Sequence, residues 1–119
     1  MIWNDSLQTV LNDLTQEASE DLVQLWMLQK WVRRALPNLS PRAVRDATLA
    51  IVEKAVNGGE VVAGSFGEND FEIWPSQSDT MTRIEREWDD ADRQLTLGDN
   101  VWFSHPNLGY RTLRLPTKE

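Results

Sequence analysis

The sequence predicts an α+β domain in which an N-terminal bundle of three helices is followed by a β-hairpin, a fourth helix and a short C-terminal strand pair. Three observations lead there. Apolar residues recur at helical spacing as far as Val56, because a helix buries one stripe at i, i+3, i+4 and i+7. Beyond Gly59 the apolar residues gather instead in short extended runs between turn residues, the mark of strands. At 119 residues the chain makes one compact domain, 1–119, rather than two.

Leu7, Val10, Leu11 and Leu14 form one face of a first helix over about 5–15, with Asn4 or Asp5 as its cap. The polar run from Thr15 to Asp21 contains neither Gly nor Pro, and a restart is expected at Ser19, with Glu20 and Asp21 in the new first turn. Leu22, Leu25, Trp26, Gln29, Val32 and Leu36 continue at helical spacing until Pro37. Lys30, Arg33 and Arg34 gather at the C-terminal end of this second helix, where cations complement the backbone dipole.

Ser40-Pro41 combines a capping hydroxyl with a proline whose missing N–H had no intrahelical partner, which starts a third helix over 41–56. Ala43, Ala47, Ala50, Ile51 and Ala55 line one side of it, with Val44, Thr48 and Val52 nearby, and small residues let it approach its neighbours closely. Asn57-Gly58-Gly59 ends it. Val61, Val62, Ala63 and Phe66, then a turn at Gly67-Glu68-Asn69-Asp70, then Phe71-Glu72-Ile73-Trp74 make the hairpin. Ser78 or Asp79 is the expected cap of a fourth helix carrying Met81, Ile84, Trp88 and Ala91 on its apolar stripe, with Arg83–Glu87 and Arg86–Asp90 pairs on other faces. After a turn at Gly98-Asp99, a short strand is expected at Val101-Trp102-Phe103, a loop at 105–109 and a last strand from Tyr110 to Leu115, with a frayed tail after Pro116.

The chain has no cysteine, so it offers no disulfide, no thiolate nucleophile and no thiolate zinc site. Its N-terminus lacks the pattern of a secretory signal, and no apolar stretch approaches the roughly 18 residues of a membrane span. A cytoplasmic protein with no membrane partner is the expectation. The net charge of −7 is unevenly spread, with eleven acids and three bases between residues 59 and 99. Such asymmetry suggests a face for an oppositely charged partner, and it argues against a general nucleic-acid binder, whose affinity comes from Lys and Arg on phosphates.

The densest acidic run is Glu85, Glu87, Asp89, Asp90 and Asp92 around Trp88. Carboxylates at consecutive helical positions diverge by about 100° each, whereas a hard cation needs several oxygens converging on one point, so no metal is expected there. A solvated helix face and a contact surface for a basic protein both fit the run. Trp26, Trp88 and Trp102 fall on apolar stripes and are expected in the core, while Trp3, Trp31 and Trp74 fall off them or at element ends. Trp74, beside Glu72 and Asp70, is the candidate interface anchor, since tryptophan is enriched at binding hot spots. The alternative is that Trp74 packs on the fourth helix. The candidate partner-binding set is therefore Glu68, Asp70, Glu72, Trp74, Glu85, Asp89, Asp90 and Asp92.

Catalytic signatures are missing from the sequence. His105 is the only histidine and has no recognisable orienting partner, so an exposed turn residue is expected. There is no Gly-x-Ser-x-Gly elbow, no Walker loop and no dinucleotide fingerprint, and neither catalysis nor a cofactor is expected. For DNA, the best case is Arg42, Arg45 and Lys54 on the third helix, although Asp46 and Glu53 interrupt that face and the hairpin turn is acidic where phosphate calls for base.

The segments Val56-Asn57-Gly58-Gly59-Glu60-Val61-Val62-Ala63-Gly64, Phe71-Glu72-Ile73-Trp74-Pro75, and Ile84-Glu85-Arg86-Glu87-Trp88-Asp89 leading to Gly98-Asp99-Asn100-Val101-Trp102-Phe103 resemble a family of small bacterial proteins of unassigned role. The resemblance spans roughly residues 20–110 and implies a winged-helix-like fold, the order of three helices and a hairpin being that of a winged helix-turn-helix domain. In size, acidity and lack of chemistry the chain is also similar to immunity proteins of bacterial toxin systems, including contact-dependent growth inhibition. That likeness implies a non-catalytic inhibitor covering the basic active-site region of a cognate toxin, such as a nuclease. The alternative is a winged-helix transcriptional regulator binding DNA as a dimer through Arg42 and Arg45.

Overall fold

The computed structural model describes residues 3–68, 71–74, 76–89, 95 and 100–108. Four helices and a four-stranded antiparallel sheet make an α+β fold. The helices are α1 (Asp5–Glu20), α2 (Leu25–Ala35), α3 (Pro41–Asn57) and α4 (Gln77–Glu87), and the strands are β1 (Val23–Gln24), β2 (Val62–Phe66), β3 (Phe71–Ile73) and β4 (Trp102–Ser104).

Asn4 caps α1 by accepting from the N–H of Leu7 at 2.9 Å, and Leu7, Val10, Leu11 and Leu14 are all buried. The helix does not break at Ser19. It runs on to Glu20 with Ala18 buried on the same face, and the Ser19 hydroxyl donates back to the Gln16 carbonyl at 2.6 Å instead of capping a new helix. The chain then turns extended for the two residues of β1, and α2 begins at Leu25 without a side-chain cap. A tertiary bond replaces the cap's work, because the Leu25 N–H donates to the Val101 carbonyl at 2.9 Å.

Ser40 caps α3 through the N–H of Ala43, with Pro41 in the first turn as expected. The far end closes as a Schellman motif, in which Glu60 N–H reaches the Ala55 carbonyl and Gly59 N–H reaches that of Val56. Gly59 has φ +74°, the left-handed conformation that this closure requires and that glycine adopts without strain. The helix α4 starts at Ser76 rather than at Ser78 or Asp79, with the Ser76 hydroxyl accepting from the Asp79 N–H at 3.0 Å. It ends at Glu87, so its described buried stripe is Thr80, Ile84 and, just past the end, Trp88, with Met81 half-buried against the core; Ala91 lies outside the described residues.

Strand order is β1-β4-β2-β3. The last described strand, β4, thus lies between the first and the second strands. Val23 pairs with Phe103 and Ala63 pairs with Phe103 from the other side, and all three are buried. Alternation along the strands puts them on the face that meets the helices, while Gln24, Trp102, Gly64 and Phe71 share the other face. The expected strand 110–115 lies outside the described residues, and β4 takes its partners from β1 and β2.

Two devices hold the hairpin. At Gly64 a Cβ would strike the carbonyl oxygen of Glu72 and stand 2.7 Å from Cζ of Phe71, so only glycine lets β2 and β3 approach under that ring. Two residues beyond the last β2–β4 pair, Asn100 substitutes for a strand backbone. Its amide nitrogen donates to the Phe66 carbonyl at 2.9 Å, and its amide oxygen accepts from the Phe66 N–H at 3.0 Å and from the Trp102 indole at 3.1 Å.

Candidate functional site

The hairpin and α4 carry the residues expected to bind a partner. Glu68 lies exposed after β2, Glu72 is exposed on β3, Glu85 is exposed on α4 and Asp89 is exposed just past the end of α4. Asp70, Asp90 and Asp92 lie outside the described residues. Glu72 stands on the edge strand of the sheet, where a charge also discourages pairing with another chain.

Of the two readings the sequence allowed for Trp74, an exposed anchor or packing on the fourth helix, its 7% exposure fits the second. Its backbone N–H extends the hairpin by donating to the Ala63 carbonyl at 2.9 Å, and its indole donates to the Ser65 hydroxyl at 3.3 Å. The Arg83 guanidinium covers the ring at 5.1 Å and pairs with Asp79 at 3.0 Å, one turn earlier on α4. The exposed large apolar side chain on this strand is Ile73, at 39%.

Sequence reasoning missed the role of two arginines. Arg83 and Arg86, with Glu87, line a cavity of about 260 Å³ together with Ser65, Trp74 and Asn100, which puts them on the side of α4 that faces the hairpin. At about 100° per residue, Glu85 lies roughly opposite Arg83 and Glu87 around the helix. The expected acids therefore stand in two places, Glu68 and Glu72 on the hairpin and Glu85 and Asp89 at the end of α4, with Arg83, Arg86 and Glu87 on the side of α4 that faces the hairpin. The Asp79–Arg83 spacing of four was the signal available in the sequence.

Of the other tryptophans, Trp88 is fully buried as expected, whereas Trp26 and Trp102, also expected in the core, are half-buried. Each has turned its indole N–H to a side-chain oxygen, Trp26 to Gln24 at 2.8 Å and Trp102 to Asn100. In both cases the acceptor stands two residues before the tryptophan, so the indole N–H is satisfied locally. Trp3 and Trp31 are half-buried against the core, and Lys54 sits 4.7 Å over the Trp3 ring.

On α3, Arg42 is exposed, whereas Arg45 is half-buried and bonded within the fold. Its Nε donates to the Trp88 carbonyl at 2.8 Å and its guanidinium lies 6.0 Å from the Trp88 ring centre, tying the end of α4 to α3. His105 is half-buried. Its Nδ1 accepts from the Asn107 N–H at 3.0 Å and so caps the 3-10 turn Pro106–Leu108, while its own N–H donates to the Ala18 carbonyl at 3.0 Å. Among the described residues no group of three or more His, Asp or Glu is placed to hold a metal ion, and no helix is long and apolar enough to cross a membrane.

Compared with known proteins, the chain matches no family model, no curated protein and no solved structure.

Proposed function

We propose that this chain is a non-catalytic binding protein of the immunity or antitoxin type, acting in the cytoplasm on a basic protein partner, a bacterial toxin such as a nuclease with a phosphate-binding cleft. One observation supports this reading above the others. Glu68, Glu72 and Glu85 are exposed and make no ion pair among the described residues, on a chain of net charge −7. Carboxylates that no internal cation neutralises project their field into solvent, where it steers a basic cleft into an encounter.

The acids, standing on the hairpin and at the end of α4, imply a partner that offers cations in two places rather than one continuous basic floor. Ile73, next to Glu72, takes over the role of apolar anchor that the buried Trp74 cannot fill. The DNA-binding alternative is weakened because Arg45, one of its two contact residues, holds Trp88.

The test is affinity capture from the native cells at moderate salt with the protein and with its combined Glu68→Gln, Glu72→Gln and Glu85→Gln variant. A basic protein retained in stoichiometric amount by the first and lost from the second is the expected result. Equal retention by both overturns the proposed surface, and capture of duplex DNA that Arg42→Ala abolishes assigns the chain to transcriptional regulation.

A further inference from the structure

The charge of this acidic chain reverses in one stretch, since residues 22–45 hold five bases and no acid. Within it, Trp26, Gln29, Lys30 and Arg33 fall at i, i+3, i+4 and i+7 and form one face of α2. With Leu95 they line a cavity of about 300 Å³, at the lower end of the roughly 300–1,000 Å³ typical of small-ligand sites.

The floor of this cavity is Gln29, only 2% exposed. Its amide oxygen accepts from the Leu95 N–H at 3.2 Å, while its amide nitrogen has no hydrogen-bond partner among the described residues. The amide cannot flip to cure this, because that would set a donor against the Leu95 N–H. Arg33, which also lines a neighbouring cavity with Leu36 and Pro41, has a buried Nε without a partner among the described residues. Lys30 lies at the mouth, its ammonium 5.9 Å from the Trp26 ring centre. The two buried polar groups left unpartnered here among the described residues are thus both donors, one of them on a cation, and the exposed Lys30 adds a second positive charge.

We infer that this cavity is a binding site for a compact oxyanion, a carboxylate or a phosphate. One oxygen would accept from the Gln29 amide, and a second from Arg33, whose planar fork matches the paired oxygens of such groups. Lys30 would supply charge without directional demand, and the Trp26 ring would form an apolar wall. The site is on another element and of opposite charge from the acidic partner surface, so either proposal stands without the other. A free metabolite and an acidic side chain of a peptide present the same chemistry, and the choice of probes separates them.

The experiment is a low-salt titration of the whole chain with succinate, inorganic phosphate and N-acetyl-aspartyl amide, each in its own arm. It follows the side-chain NH2 signals of Gln29 and the Nε–H signal of Arg33 by 1H–15N NMR. Saturable shifts of both signals with at least one probe are expected, and the tightest probe identifies the class of ligand. Arg33→Met keeps the stem and removes the donor, and it should weaken binding by about tenfold or more, the equivalent of one charge-assisted hydrogen bond. Lys30→Met, at an exposed position, should weaken it less and leave the fold intact. Absence of saturation with all three probes overturns the inference. So does saturation that neither substitution alters, or a resident water at the Gln29 amide that no probe displaces.

Discussion

Arg45→Met separates the structural role of this arginine from the nucleic-acid role that its place on α3 suggested. Methionine preserves most of the stem, so the substitution removes chiefly the guanidinium, together with its 2.8 Å bond to the Trp88 carbonyl and its place over the Trp88 ring. A hydrogen bond from a charged donor contributes about 1.5–3 kcal/mol, and a partly exposed cation–π contact about 0.5–1 kcal/mol. Recovered apolar packing by the methionine offsets part of that, leaving an expected loss of about 2 kcal/mol. For a urea m-value of about 2 kcal/mol/M this lowers the unfolding midpoint by about 1 M. Arg42→Met, one turn earlier and exposed, should change stability by less than about 0.5 kcal/mol. The assay is urea unfolding of both variants followed by tryptophan fluorescence, with Trp88 itself a reporter. Equal, small losses at the two positions would refute the claim that Arg45 ties α4 to α3.

Four further substitutions address the hairpin and the start of α4. Gly64→Ala should destabilise by about 1–3 kcal/mol or more, because the obstruction is the Glu72 backbone and not a side chain able to move aside; chemical denaturation measures it. Asn100→Ala should leave the core intact yet speed hydrogen exchange at the Phe66 N–H by about tenfold, the loss of roughly one net hydrogen bond, and unchanged exchange there would remove Asn100 from the pairing. Ser76→Ala should cost about 1 kcal/mol and Ser78→Ala almost nothing, whereas the reverse order in thermal melts would restore the later helix start that the sequence suggested.

The helices were the most legible part of the fold because their information is local. The spacing of Leu7, Val10, Leu11 and Leu14, the Ser40-Pro41 start and the Asn57-Gly58-Gly59 stop each specify structure within a few residues, and each is found where expected. The break between α1 and α2 was misplaced because its cause is distant. Val23 and Gln24 are extended since they pair with Phe103 and Trp102, nearly eighty residues along the chain, and no local signal at Ser19 competes with that. The central position of β4 was hidden for the same reason, as three residues carry no mark of having two partners.

At the candidate site, the exposure of Glu68, Glu72, Glu85 and Asp89 followed from their charge, but their standing in two places did not. That arrangement depends on which face of α4 meets the hairpin, and Arg83 and Arg86 reveal it only once Trp74 is seen to lie beneath Arg83. The unpartnered donors of Gln29 and Arg33 were invisible for a different reason. Helical spacing placed Gln29 among apolar residues, and a sequence does not show whether a buried amide has found both of its partners.

The central claim is that exposed carboxylates of the hairpin and α4 steer a basic protein to this chain. Its most direct test is the association rate with the captured partner, measured by stopped flow between about 20 and 200 mM salt, a range over which screening shortens from roughly 20 Å to under 10 Å. The account predicts a rate that falls steeply with salt for the protein and much less steeply for the Glu68→Gln, Glu72→Gln, Glu85→Gln variant, with dissociation nearly unchanged. A rate indifferent to salt, or the same slope for both proteins, would contradict it.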